Sequence, residues 1–143
     1  MPEVTFTDEH GAQNIREQYG HSETEGIAVD NNTFSTVIAD VENIIIDNRN
    51  LASLLIHLFN DGGTNSFDYE ISGHAKEVDT PPSLSEPNED WHVLPDGTGS
   101  IANNASDAVS VTDDWAWIAI RLKRTSSGLD SIANVYIRAL KAF

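Results

Sequence analysis

The sequence predicts an all-β chain: an antiparallel β-sandwich, jelly-roll-like, with a poorly structured N-terminal arm. Three observations predict it. From about residue 33 onward, apolar residues recur with a period of two. The segments that carry this period number about seven or eight and are short, as in sandwiches and jelly rolls. Clusters of Asp, Asn, Gly, Pro and Ser separate them, and no convincing helical period competes.

Residues 1–32 form the arm in this reading. Val4, Phe6, Ile15, Tyr19 and Ile27 are scattered there without a clear period, and the stretch 5–20 suits a weak helix or an extended chain. The compact domain is expected over 33–143. Its first strand is placed at 33–41, followed by the apolar run Ile44, Ile45 and Ile46 and a turn at Asp47, Asn48, Arg49 and Asn50. Residues 51–60 read as a central strand. Ala52, Leu54, Ile56 and Leu58 share one face; Leu51, Ser53, Leu55, His57 and Phe59 share the other. Both faces are partly apolar, so both are expected to be covered. Asp61, Gly62, Gly63 and Thr64 read as a hairpin turn. Residues 66–73 alternate cleanly, with Phe67, Tyr69 and Ile71 inward and Asp68, Glu70 and Ser72 in solvent.

A proline-rich acidic loop fills 77–90, expected to be too polar to pack and too rich in proline to pair. A short strand follows at 91–94, then a turn at Pro95, Asp96 and Gly97, then another strand at 108–111. In 115–124, Ala116, Ile118, Ile120 and Leu122 face the core, and Trp115 and Trp117 lie opposite. The last strand, 132–143, turns Ala133, Val135, Ile137, Ala139 and Phe143 inward, with Tyr136, Arg138 and Leu140 on the other face.

The formal net charge is −15, from 23 acidic and 8 basic residues. Such a chain has little to offer nucleic acid or an anionic membrane, since both require Lys and Arg. An acidic, lysine-poor surface suits salty surroundings and hints at a halophilic host. There is no cysteine, so disulfides and thiolate metal sites are excluded. No apolar run is long enough to span a membrane, and the N-terminus lacks the pattern of a signal peptide. An intracellular protein, or one released by lysis, is the expectation.

No catalytic pattern stands out, and the chain is expected not to be an enzyme. The five histidines lack ligand spacing. His57 reads as a sheet histidine, while His74 and His92 flank the proline loop and are expected to be exposed. Asp68–Glu70 and Asp113–Asp114 read as solvated surface rather than paired acids. Asp79, Glu86, Glu89 and Asp90 crowd the proline loop without the spacing of a calcium loop. No cofactor or metal is expected. Trp115 and Trp117, on one strand face, suit a core corner or a subunit interface, to which Leu55 and Phe59 are candidates as well. With Tyr69, the two tryptophans also suit the platform of a carbohydrate-binding module, the alternative function.

Read together, Asp47-Asn48-Arg49-Asn50-Leu51, the strand 51–60, Asp61-Gly62-Gly63-Thr64-Asn65, the strand 67–73, a variable loop with Trp91, and Asp114-Trp115-Ala116-Trp117-Ile118 with a last strand form a layout. Over roughly residues 40–143 it resembles the small β-sandwich virion proteins of tailed viruses that decorate or cement the head. The resemblance implies a structural protein on the capsid exterior, assembled in the host cytoplasm and bound to the capsid protein lattice. It also implies a homo-oligomer, for which a trimer is the best guess, and an arm reaching over neighbouring subunits.

Overall fold

The structure is a computed structural model that describes residues 7–8, 19–62, 65–84 and 91–141. Nine strands lie among these residues: β1 (Thr7–Asp8), β2 (Tyr19–Val29), β3 (Asn43–Asp47), β4 (Leu51–Asn60), β5 (Phe67–His74), β6 (Trp91–Ile101), β7 (Ser106–Val111), β8 (Trp117–Arg124) and β9 (Ser131–Lys141). They form a five-stranded sheet, β1-β2-β9-β4-β7, and a four-stranded sheet, β3-β8-β5-β6, with every pairing antiparallel. Only β1–β2 and β5–β6 are neighbours both in sequence and in a sheet; every other connection passes between sheets. This interleaved order is a jelly roll. The predicted fold class is therefore the observed one.

The core lies between the sheets and is built by the inward alternation. Leu54, Ile56 and Leu58 from β4 and Ala133, Val135, Ile137 and Ala139 from β9 meet Phe67, Tyr69 and Ile71 from β5 and Ile118, Ile120 and Leu122 from β8. Period-two patterning placed these side chains correctly because each strand has one face toward the opposite sheet.

Several boundaries differ from the sequence reading. Tyr19–Val29, assigned to the arm, is a full strand along β9, with Ile27 and Val29 in the core. Its pattern is hidden by a bulge between Thr24 and Ile27, where Gly26 takes a φ of 70° and donates its N–H to Asn134 Oδ1 at 2.9 Å. The bulge resets the alternation, so no single period runs through the segment. Of the rest of the expected arm, Asp30, Asn31 and Asn32 follow β2 as irregular chain, whereas residues 1–6 and 9–18 lie outside the described residues, as does Phe143.

Residues 33–41 are not a strand. They run as turns over the outer face of the four-stranded sheet, held by Asn43 Nδ2 donating to the carbonyls of Ser35 (3.2 Å) and Val37 (2.7 Å). The expected turn at 95–97 lies inside β6, at a register shift opposite Glu70–Ser72. Pro95 is tolerated because β6 is an edge strand. Gly97 is required there: a Cβ would sit 2.5 Å from the Ile71 carbonyl oxygen.

The link after β4 is a crossover between sheets, not a hairpin; its Gly63 and Thr64 lie outside the described residues. Asn60, wholly buried, organises it. Its Nδ2 donates to the carbonyls of Asn65 (2.7 Å) and Ile101 (2.8 Å), and its Oδ1 accepts from Gly62 N and Ser131 Oγ, both at 2.9 Å.

The two outer faces differ. The four-stranded sheet carries a second core on its outside: Ile45, Ala116, Trp117 and Ala119 under Leu84, Trp91 and Ile38. Two indoles fasten the covering loop, Trp91 Nε1 to the Ser83 carbonyl (3.0 Å) and Trp117 Nε1 to the Val78 carbonyl (3.2 Å). His74, expected to be exposed, is buried beside this cover: its ring meets Trp91 edge-on at 5.0 Å, and its Nδ1 accepts from Lys76 N.

Candidate assembly face

The five-stranded sheet has no second core on its outer side among the described residues. The cross-strand registers align its outward side chains in rows. His21, Arg138, Leu55 and Ser110 form one row; Glu23, Tyr136, His57 and Ala108 form the next; Asn134, Phe59 and Ser106 form a third. Leu55 is 43% exposed and Ile132 41% exposed, while Phe59 and Leu140 are half-buried. His57 and Tyr136 stack at 5.7 Å between ring centres, with planes 25° apart. The Tyr136 hydroxyl titrates above its usual range, through partial desolvation and then the nearby Glu25 and Glu23 carboxylates. Two shallow depressions of about 180 and 230 Å3 flank Leu55 and Arg138. The face thus mixes Leu55, Phe59 and Tyr136 with the exposed Arg138 at its centre and is charged toward β2, where His21, Glu23 and Glu25 stand.

The four expected interface residues do not come together. Leu55 and Phe59 lie on this face. Trp117 and Trp115 belong to the other sheet and its entrance. Trp117 is fully buried in the second core, with the Arg49 guanidinium 5.4 Å from its ring centre, so it presents no surface to a partner. Trp115 is half-buried across Gly73, where a Cβ would lie 2.3 Å from its Cδ2, and it stacks on His92 at 5.7 Å. The expected alternation fails before β8 begins at Trp117: Trp115 packs against the main core, and Ala116, expected to face that core with Ile118, joins Trp117 in the second core, which the chain covers with its own loops. Ile132, Tyr136 and Leu140 complete the exposed face; the outward positions of the last strand carried that signal.

Asp68 and Glu70 of the four-stranded sheet, expected in solvent, form part-buried ion pairs. Asp68 meets Lys123 at 2.8 Å and Glu70 meets Arg121 at 2.5 Å. Burial raises the Asp68 carboxyl, but hydrogen bonds from Lys123, Ser100 and Thr125 outweigh it and leave it below its usual range. Asp79 reaches Arg49 at 3.0 Å, and Glu86, Glu89 and Asp90 lie outside the described residues. Among the described residues, no group of three or more His, Asp or Glu side chains is placed to hold a metal ion, and no helix is long and apolar enough to cross a membrane.

No protein-family model and no curated protein matches the sequence. Solved structures share its general shape at low similarity. A pilus of Bacillus endospore appendages is 14% identical over 95% of this chain and 100% of its own, with a TM-score of 0.40. The Tobacco streak virus coat protein is 12% identical over 91% of this chain and 90% of its own, with a TM-score of 0.38. CorA, described as a surface-associated copper-binding protein of Methylomicrobium album BG8, is 7% identical over 87% and 94%, with a TM-score of 0.46. At these values the likenesses carry no argument about what this chain does.

Proposed function

We propose that this chain is a structural assembly protein: a decoration, cement or minor capsid component of a tailed virus, seated on the capsid exterior as a homo-oligomer. The observation that carries the proposal is the asymmetry of the sandwich. One sheet covers its apolar outer face with its own loops; on the other, among the described residues, Leu55 and Ile132 are exposed, with Phe59 and Leu140 half-buried beside them. A sandwich needs one apolar face per sheet, so the surplus on the five-stranded sheet is surface for a protein partner. The resemblance of the 40–143 layout to head decoration proteins supplies the partner, a capsid lattice, and the acidic surface suits a salt-loving host. The jelly roll is common to viral capsid domains and also to lectins, so the fold itself enters only as analogy.

The alternative of a carbohydrate-binding module on Trp115, Trp117 and Tyr69 loses its platform, since Trp117 and Tyr69 are buried. The test is light scattering and co-sedimentation with purified particles. The full-length protein is expected to be an oligomer, a trimer by best guess, and to sediment with capsids. Leu55→Lys with Ile132→Lys is expected to give a folded monomer that stays in the supernatant. A monomeric parent at micromolar concentration, or a double variant that assembles like the parent, overturns the reading.

A further inference from the structure

The second core covers only part of the outer face of the four-stranded sheet. Farther along the sheet, residues 31–40 stand over β5 and β8 and border an open cleft of about 620 Å3. That size lies within the roughly 300–1,000 Å3 of small-molecule sites. The floor is the Glu70–Arg121 ion pair. The wall presents Asn31, Thr33, Phe34, Ser35 and Asp40, and Val37, 60% exposed, stands at the rim.

This wall is held in place from behind. Asn43 and Arg121 donate to the Ser35 carbonyl, at 3.2 and 3.5 Å, and Asn43 also donates to the Val37 carbonyl. Asn31 Nδ2 donates to Asp40 Oδ2 at 3.2 Å, and Asn31 N donates to Glu42 Oε2 at 2.9 Å. The Phe34 ring lies 5.5 Å from both the Arg121 guanidinium and the Lys123 ammonium. Polar groups fixed before binding lose little freedom when a ligand arrives.

The lining selects a ligand class. An apolar ligand would strip water from Asp40, Thr33, Ser35 and Thr36 without replacing its hydrogen bonds. An anion would meet Asp40 and Glu70, while Arg121 and Lys123 already face Glu70 and Asp68. A cation would find Arg121 and Lys123 against the same Phe34 wall. A neutral polyhydroxylated molecule avoids all three conflicts. Its hydroxyls donate to carboxylates, accept from amide and hydroxyl groups, and leave a C–H face for Phe34 and Val37. We propose that this cleft binds a neutral saccharide of one or two rings. The proposal is independent of the assembly face, which lies on the opposite sheet.

The test uses full-length isotope-labelled protein, with amide shifts followed during titration with glucose, galactose, mannose and N-acetylglucosamine, and separately with inorganic phosphate and L-arginine. At least one sugar is expected to give saturable shifts at Ser35, Thr36, Val37, Glu70 and Arg121. Asn31→Ala is expected to weaken binding by about tenfold, the loss of one or two hydrogen bonds. Thr36→Trp, a change at an exposed position, is expected to fill the cleft and abolish the shifts, while Leu55→Lys leaves them intact. Printed oligosaccharides distinguish the sources: tighter binding than to the monosaccharide assigns the site to a glycan chain, and equal binding to a free sugar. The proposal fails if no sugar gives saturable shifts there, if the shifts survive Thr36→Trp, or if only phosphate or arginine occupies the cleft.

Discussion

Single polar residues decide how the two sheets join. Asn60 ends β4 with all four of its side-chain bonds inside the protein, and those bonds turn a hairpin-like sequence into a crossover. Tyr69 is a second tie: from β5 its hydroxyl donates to Asp107 Oδ2 on β7, 3.1 Å away across the sandwich. Burial, followed by the Asp107 charge, pushes the Tyr69 phenol from 10.0 up to about 12. A phenol with a raised folded-state pKa favours the protonated form in the fold. Its contribution is complete below pH 10 and is lost as pH rises through 12. Tyr69→Phe should cost about 1 kcal/mol near neutrality, the net value of one hydrogen bond. It should also flatten the decline in stability over that alkaline window. Urea titrations of both proteins across the window check this; two curves that decline in parallel overturn it.

At the scale of elements, loops do work that the strands leave undone. The apolar outer side of β8 and β3 would face water without the 75–84 loop and Ile38. Leu84 is the loop's deepest side chain, 1% exposed. Leu84→Ala should therefore behave as a core truncation and cost about 2–5 kcal/mol, although it lies in a loop. Thermal melts read the cost, and faster cleavage within the loop by a protease should accompany it. If the variant melts like the parent, the loop is an accessory and the second core contributes little. Gly73 shows the same dependence from the strand side, since its missing side chain leaves the room that the Trp115 indole fills.

The whole molecule combines a closed face with an open one and carries a net charge of −15. Exposed ion pairs such as Arg124–Asp130, 2.6 Å apart with Asp130 mostly in solvent, are weak and are weakened further by salt. Self-repulsion among 23 acidic residues acts over longer distances and is relieved by the same salt. The second effect involves more charge, so stability should rise with ionic strength. The melting temperature of the full-length protein should increase between about 0.05 M and about 2 M NaCl, a range over which the Debye length falls several-fold. A decrease on adding salt would show that the ion pairs dominate.

The sequence by itself determined the fold class, the inward faces of β8 and β9 and of most of β4 and β5, and the bounds of β4 to the residue; a register shift between Leu51 and Ser53 leaves Ala52 exposed and turns Leu51 to the core, and Ser72 is buried. Those features follow from local alternation, which any half-buried strand imposes on its own residues. Outward positions such as Leu55, Phe59, Tyr136 and Leu140 were legible for the same reason. The tertiary structure decided everything that depends on which strands meet. Strand β2 was hidden because a bulge at Gly26 breaks its period and because polar residues suffice beside β9. The crossover after Asn60 has the same glycines as a hairpin; only the partners of one amide distinguish them. Trp115 and Trp117 suited a core corner as well as an interface because alternation separates two faces of a strand without saying what covers each. The cleft at Asp40, Glu70 and Arg121 joins three distant segments, and no local pattern reports a contact made only by folding.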